Sequence, residues 1–202
     1  MIIDMHVHTV ASGDSLIAAE DLIEHAIDLG LDAICVTEHD SYLSSAVVEE
    51  FAEGTSLKVF RGVEVATASG HMLVYGVTND DWKDYLNQHK GNAQRLVDYV
   101  RSIDGVIVPA HPFDPAKPGV RDAVPTLAGV FAIEGFNGQA EAADNLRAQE
   151  LGRRLNLRLL GGSDAHSLFE LGRCVTEFDN DILTVTDLIA ELKEGRFKGR
   201  YL

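Results

Sequence analysis

The sequence predicts an α/β protein whose strands close into a distorted, seven-stranded (β/α)7 barrel of the TIM-like kind. Short runs rich in Val, Ile and Leu alternate with longer amphipathic stretches, which is typical of βα units around a largely parallel sheet. Residues of metal-binding type end most of these runs, as expected where the carboxyl ends of barrel strands share one rim. A chain of 202 residues with 46% hydrophobic content can bury one core. We therefore expect a single domain over residues 1–202 and favour a barrel over an open sheet.

Seven apolar segments have the length and composition of buried strands. The predicted strands are 2–8, 33–38, 58–65, 72–77, 105–110, 130–134 and 158–162. The stretch 112–125 holds four of the five prolines, so it is predicted to be a loop that follows a strand.

Four segments carry the apolar spacing of helices that pack one face on a core. They are 18–29, 81–103, 139–155 and 185–194, and the second of them is interrupted near Gly91. Gly30 is suited to end the first helix, because glycine adopts the left-handed conformation at a helix C-terminus without strain. Thr184 and Asp187 form a predicted capping box at the start of the last one.

Composition excludes several classes of function. With 17 Lys+Arg against 32 Asp+Glu, the formal charge is −15, which disfavours binding along a nucleic-acid backbone. The two cysteines, Cys35 and Cys174, are expected to be structural and reduced. The N-terminus MIIDMHVH lacks the regions of a signal peptide, and no apolar run reaches the roughly 18 residues of a membrane span. We expect a cytoplasmic protein that acts on a small molecule and has no membrane partner; the sequence does not indicate an oligomeric state.

Polar residues at the strand ends predict a metal site. Six residues each end a predicted strand: His8, His39, Glu64, His111, Glu134 and Asp164. His6 and His8 are two residues apart, so the period of a strand directs both imidazoles to one face. His71 precedes its strand, but a hairpin turn at Gly70 would return it beside Glu64. In a barrel all these groups become neighbours, and imidazole with carboxylate is the donor set that zinc, manganese and iron prefer.

The joint occurrence of these residues favours the metal site over a structural role. A single histidine or aspartate near a strand end is most often structural or solvated. Burying many unpaired carboxylates on one rim has no packing explanation, because each costs several kcal/mol. His25 and His89 lie within predicted helices without such companions and are interpreted as structural or surface residues.

Five short motifs occur in an order that resembles the polymerase and histidinol phosphatase (PHP) superfamily. They are DMHVH (4–8), TEHD (37–40), GVE (62–64), AHPF (110–113) and GSDAH (162–166). The resemblance spans nearly the whole chain. It implies a distorted (β/α)7 barrel that binds two or three divalent ions, usually manganese, zinc or iron, with phosphoester hydrolysis as the usual reaction.

The resemblance also implies which residues bind the ions. The implied ligands are His6, His8, Asp14, His39, Glu64, His71, His111, Asp164 and His166. Glu64 would bridge two ions. Asp14 stands where some relatives carry histidine, and Glu38 stands where many carry aspartate. Asp4, Glu38 and Asp40 are expected to orient imidazoles by accepting their remaining N–H groups.

Catalytic roles are expected for Glu64, His39, Asp164 and His166, with a metal-activated water as the nucleophile. Arg173 and Asn137 are predicted to contact a phosphorylated substrate, although a solvated surface role for Arg173 is an equal alternative. The leading hypothesis is a phosphoesterase that acts on a small phosphorylated metabolite or nucleotide. The alternatives are hydrolysis of a non-phosphate bond, as in amidohydrolases, and a non-catalytic metal-binding PHP module.

Overall fold

Nine strands form the framework of the protein in a computed structural model, which describes all residues 1–202. The strands are β1 (Ile2–Val7), β2 (Ala33–Val36), β3 (Lys58–Thr67), β4 (Gly70–Tyr75), β5 (Val106–Pro109), β6 (Ala132–Asn137), β7 (Arg158–Gly162), β8 (Cys174–Phe178) and β9 (Phe197–Tyr201). All seven predicted strands are present. The sequence did not predict β8 and β9.

Six α-helices connect and cover the strands. They are α1 (Ala19–Asp28), α2 (Ala46–Ala52), α3 (Trp82–Gln88), α4 (Ala93–Ser102), α5 (Ala142–Leu155) and α6 (Val185–Glu194). The predicted interruption near Gly91 separates α3 from α4, and the capping box of Thr184 and Asp187 is present at α6. Helix α2, which is only two turns long, was not predicted.

Seven strands form one curled sheet, in the order β5-β4-β3-β2-β1-β8-β9. Strands β1, β2 and β3 are parallel, whereas β4 forms an antiparallel hairpin with β3. This hairpin confirms the predicted reversal that brings His71 back beside Glu64. Strands β6 and β7 form a separate parallel pair.

The α/β class is confirmed, but the hydrogen-bonded ladders do not close into a barrel of seven strands. No ladder joins β6 and β7 to the larger sheet, which instead continues from β1 into β8 and β9. The two sheets meet where the chain leaves β7. There Asp164 N donates to His6 O at 2.7 Å, and His8 N donates to Ala165 O at 3.3 Å. The result is a curled half-barrel whose strand ends still share a rim.

Glycines allow β7 to cross close to its neighbours. A Cβ atom added to Gly199 on β9 would lie 2.7 Å from the carbonyl carbon of Leu160, and one added to Gly162 would lie 2.7 Å from His6 N. One at Gly161 would overlap the carbonyl oxygen of Val175. Strands approach this closely only where a side chain is missing. The crossing places the end of β7 directly against the HxH pair of β1.

The core consists of three apolar clusters that lie inside the curled sheet and between its outer face and the helices. Cys35 and Cys174 are buried free thiols, as expected. Burial raises the pKa of Cys174 to about 12, so this thiol stays protonated. None of the helices combines the length and the apolar character needed to cross a membrane.

Candidate metal centre

His6 and His8 form the buried floor of the site. His6 lies on β1 and His8 follows it, and both side chains point to the same side of the sheet. Their Nε2 atoms are 3.0 Å apart, and neither residue is exposed to solvent. Asp164 approaches from the end of β7, with Oδ1 3.6 Å from His6 Nε2 and 3.5 Å from His8 Nε2. Three potential ligands therefore converge on one point.

Glu64 lies at the centre of the cluster, and its two oxygens face different histidines. Oε2 lies near three ring nitrogens: His6 Nε2 at 3.3 Å, His8 Nε2 at 3.2 Å and His39 Nδ1 at 3.2 Å. Oε1 lies near two others: His71 Nδ1 at 2.9 Å and His111 Nε2 at 2.8 Å. This arrangement suits a carboxylate that bridges two cations.

Asp14, His39 and His166 form the exposed edge of the cluster. Asp14 Oδ2 lies 3.2 Å from His39 Nε2 and 3.4 Å from His166 Nε2. The Asp14 side chain is 54% exposed, whereas both imidazoles are about a quarter exposed. All nine residues that the sequence implied as ligands thus lie in one continuous cluster.

The donor atoms fit divalent cations. Asp164 Oδ1 and His111 Nδ1 are buried without a hydrogen-bond partner. An unpartnered buried carboxylate oxygen is costly unless a cation satisfies it. Three sets of donor atoms each lie within 4.8 Å of one another: His6, His8 and Asp164; His8, His39 and His166; His39, Glu64 and His71. Nitrogen and oxygen donors of this kind suit zinc, manganese and iron.

Glu134 holds the buried floor in place. Its Oε1 lies 2.9 Å from His6 Nδ1, and its Oε2 accepts hydrogen bonds from His111 N at 2.6 Å and from Asn137 Nδ2 at 3.0 Å. A hydrogen bond from His6 Nδ1 to this carboxylate leaves the Nε2 lone pair free for a cation. The sequence placed Glu134 on the rim without a role.

Asn137 is buried and supports the ligands. Its Nδ2 donates to Asp164 Oδ2 at 3.0 Å as well as to Glu134, and its Oδ1 accepts from the backbone N–H groups of Gln139 and Ala140. All of its polar atoms are thus engaged by the protein. Contact between Asn137 and a substrate stays a prediction.

The three acidic residues expected to orient imidazoles behave differently from one another. Glu38 accepts a hydrogen bond from Ser12 Oγ, which lies 3.0 Å from His8 Nδ1, so Glu38 orients this ring through the serine. The expectation is wrong for Asp4 and Asp40, because both carboxylates accept backbone N–H groups. Their donors are Ser163 at 2.8 Å and Gly172 at 3.0 Å for Asp4, and Ala66 at 2.9 Å for Asp40.

Lys117 provides a cation that no sequence pattern indicated. Its Nζ contacts Asp164 Oδ2, and three quarters of its side chain is shielded from solvent. It lines a cavity of about 170 Å³ together with Asp14, His39, Glu64, His71, His111, Pro118 and His166. A single lysine in a proline-rich loop carries no local signal of function. Arg173 is exposed and is not among the residues that line this cavity.

Both central carboxylates and His8 are held in the protonation states that bind cations, whereas the surrounding carboxylates raise the pKa values of His6 and His111 against the opposing effect of burial. Burial lowers the pKa of His8 to about 4, so its imidazole is neutral at pH 7. Burial alone would raise the pKa of Glu64, but His6 and hydrogen bonds from the surrounding histidines hold it well below its usual range. The pKa of Asp164 is lowered against the same effect of burial by His6 and Lys117. Neutral imidazoles and ionised carboxylates are the forms that coordinate metal ions.

The family of the chain follows from comparison with known proteins. Residues 4–136 match the PHP domain, and residues 142–197 match the PHP-associated family. An uncharacterised protein of Methanocaldococcus jannaschii is 27% identical over 186 residues, which cover 88% of this chain and 70% of that protein. A probable phosphatase of Caldanaerobacter subterraneus is 22% identical over 220 residues, which cover 93% and 84% of the two chains.

Among solved structures, a similar fold occurs in a two-domain protein of Bacteroides vulgatus that contains a predicted PHP-like metal-dependent phosphoesterase. The TM-score is 0.78 at 21% identity, and the superposition covers 100% of this chain and 64% of that protein. This structural similarity supports the α/β fold described above. The PHP domain match includes the HxH pair, Glu64 and His111, and it spans well over half of the sequence. The chain therefore belongs to the PHP domain family.

Proposed function

We propose that this protein is a metal-dependent phosphoesterase that hydrolyses a small phosphorylated metabolite or nucleotide. The observation that carries the proposal is the position of Glu64, whose two oxygens face separate groups of histidines. A site that holds several cations suits in-line displacement at phosphorus, because charge develops on both the attacking and the leaving oxygen.

The surrounding residues divide into three proposed ligand sets around this carboxylate. The sets are His6, His8, Glu64 and Asp164; Asp14, His39 and His166; and Glu64, His71 and His111. Two or three manganese, zinc or iron ions held there would polarise the phosphoryl group and make water more acidic. Glu134, Asn137 and Ser12 keep the buried rings and carboxylates in position for this.

Lys117 favours a phosphoester over an amide as the substrate. Burial would lower the pKa of Lys117, but the carboxylates of Asp164, Glu64 and Glu134 raise it, so the ammonium group stays charged. A phosphoryl transition state spreads negative charge over its non-bridging oxygens, and a fixed cation in a shielded cavity stabilises that charge. We propose that Lys117 takes the role that the sequence suggested for Arg173, because Lys117 lines the cavity and Arg173 does not.

Protonation of the leaving oxygen is proposed for His39 or His166, in a state with two ions in which that imidazole is not a ligand. Both imidazoles are partly exposed, so they can exchange protons with solvent, unlike the fully buried His6 and His8. An imidazole positioned within hydrogen-bond reach of the leaving oxygen can act as its general acid.

The test is metal reconstitution followed by a substrate screen. Protein purified without chelator should carry at least two divalent ions per chain, because the donor atoms exceed what one ion can use. Reconstituted protein should hydrolyse one or more compounds among sugar phosphates, nucleotides and phosphodiesters. Fewer than one ion per chain after reconstitution would contradict the metal centre. Turnover of amides with none of any phosphoester would overturn the proposed reaction.

A further inference from the structure

The large apolar side chains that solvent reaches most freely are concentrated beside the metal centre. The five most exposed are Phe169, Leu16, Leu183, Leu43 and Val10. Phe169 is 91% exposed and Leu16 is 84% exposed. All except Leu183 lie on loops that carry proposed metal ligands. Single exposed apolar residues are common on protein surfaces, whereas several on neighbouring loops indicate a binding surface. None of these four residues lines the cavity itself, so they would contact the part of a ligand that extends out of it.

Val10, Leu16, Leu43 and Phe169, which we name the apolar arc, follow three neighbouring strands. Val10 and Leu16 lie in the loop after β1, Leu43 lies after β2, and Phe169 lies after β7. Strand β1 pairs with β2, and the chain beyond β7 runs beside the end of β1. The three loops are therefore contiguous on the rim.

Hydrogen bonds between these loops fix the apolar arc in place. Leu16 N donates to His166 O at 2.9 Å. Phe169 lies in a short turn with a capping box formed by Ser167 and Glu170, and the carboxylate of Glu170 also accepts His166 N at 2.9 Å. The apolar arc is therefore a preformed surface, and a ligand that binds it loses little free energy to ordering the protein.

The cavity beside the apolar arc contains a cation. Lys117 lies in the loop between β5 and β6, and its Nζ contacts Asp164 at the end of β7. A ligand that contacts both features has an anionic group near Lys117 and an apolar group over the arc. Phe169 offers an aromatic face, which favours stacking with a ring of the ligand.

We propose that the apolar arc binds a ring-bearing leaving group of the substrate. This inference rests on the proposed phosphoesterase function: water adds to phosphorus, the P–O bond to the alcohol breaks, and the alcohol leaves with a proton while phosphate is released. The substrate class is thus a phosphoester of an apolar or aromatic alcohol. An anionic membrane is a poorer occupant, because the chain carries a formal charge of −15.

The experiment compares two substrates with the same reacting centre on the metal-reconstituted, full-length protein. Ethyl phosphate and 2-phenylethyl phosphate both release a primary alcohol, so a difference in kcat/KM between them reports the contribution of the phenyl ring. We expect kcat/KM for 2-phenylethyl phosphate to be higher by roughly tenfold or more, as expected for burying a phenyl group. Phe169→Ala should lower this ratio towards one.

Leu183→Ala is the matched control. Leu183 is also highly exposed, but the neighbouring Ile182 N contacts Met1 Sδ, which places it at the opposite end of β1. This variant should keep the wild-type ratio. Both changes replace exposed side chains, so neither should impair folding.

Equal kcat/KM for the two substrates in the wild type, or a ratio that Phe169→Ala leaves unchanged, would overturn the leaving-group assignment alone. Sedimentation that shows a wild-type dimer and a Phe169→Ala monomer would overturn it too, by assigning the apolar arc to a second copy of the chain. Absence of turnover of both esters by protein that hydrolyses another phosphoester would also overturn the assignment alone. Absence of turnover of every phosphoester by protein that binds its ions would contradict the phosphoesterase function, and the assignment with it.

Discussion

The buried floor and the exposed edge of the metal centre are built differently. His6, His8, Glu64 and Asp164 are almost inaccessible to solvent and are held by Glu134, Asn137, Ser12 and Lys117. Asp14, His39 and His166 are partly exposed, and Asp14 is held by no residue other than the two histidines. Preorganised ligands lose less entropy when an ion binds. We therefore expect ions at the floor to bind more tightly than an ion at the edge, which would leave first on dilution.

The largest expected effect comes from removing the charge of Glu64, whose carboxylate links the buried floor to the exposed edge. Glu64→Gln keeps the size of the side chain but removes the anion shared by two histidine groups. We expect kcat/KM for a phosphoester to fall by more than roughly 1000-fold, which corresponds to about 4 kcal/mol. Circular dichroism should show an unchanged fold. Glu177→Gln, in a surface pair with Arg200, is the control. Near-normal turnover of Glu64→Gln at saturating manganese would rule out the bridging role.

Lys117 is expected to have the next largest effect. Lys117→Ala should lower kcat/KM for a phosphate monoester by roughly 10- to 1000-fold, because one charged donor to the transition state is lost. Lys193→Ala is a close control, since Lys193 also contacts a single carboxylate, Asp104, but far from the cavity. Arg173→Ala should have little effect. A loss confined to Arg173→Ala would return the substrate-binding role to the arginine.

Glu134 tests how much the floor depends on its supporting residues. Glu134→Gln replaces the carboxylate that orients His6 by a weaker acceptor, so metal affinity should fall roughly 10- to 100-fold. Competition with a chromogenic chelator measures this directly, without reference to catalysis. Glu191→Gln, which weakens the ion pair with Arg196 near the end of α6, should leave the affinity unchanged. The same affinity in both variants would show that the floor does not need this anion.

Asp14 gives the smallest and most specific effect, at the exposed edge. Asp14→His should shift the preferred ion from manganese towards zinc by a few-fold, because imidazole is the softer donor. The ranking comes from ion contents after equilibration with equal concentrations of manganese, zinc and iron. An unchanged ranking would place Asp14 outside the set of ligands.

Much of this site could be predicted because local patterns encode it. The period of two places His6 and His8 on one face, and the turn at Gly70 returns His71 to Glu64. The contacts of Glu134 could not be predicted, since it meets His6 across 128 residues and nothing in either neighbourhood indicates the pairing. The contact between Lys117 and Asp164 could not be predicted either, because nothing in the sequence around either residue indicates it. Strand β9 was missed because it is short, carries charged residues on its exposed side and contains Gly199, which ordinarily weakens a strand.

The glycines where β7 crosses its neighbours bear on how mutational surveys of this family are interpreted. Gly161, Gly162 and Gly199 lie where even a methyl group would overlap a neighbouring backbone, and at Gly162 that backbone belongs to His6. In a scan of every single substitution, these positions should tolerate as little change as the histidines themselves. Intolerance to substitution therefore does not by itself identify the residues that perform the reaction, because empty space beside a metal-binding residue can be as strictly required as that residue.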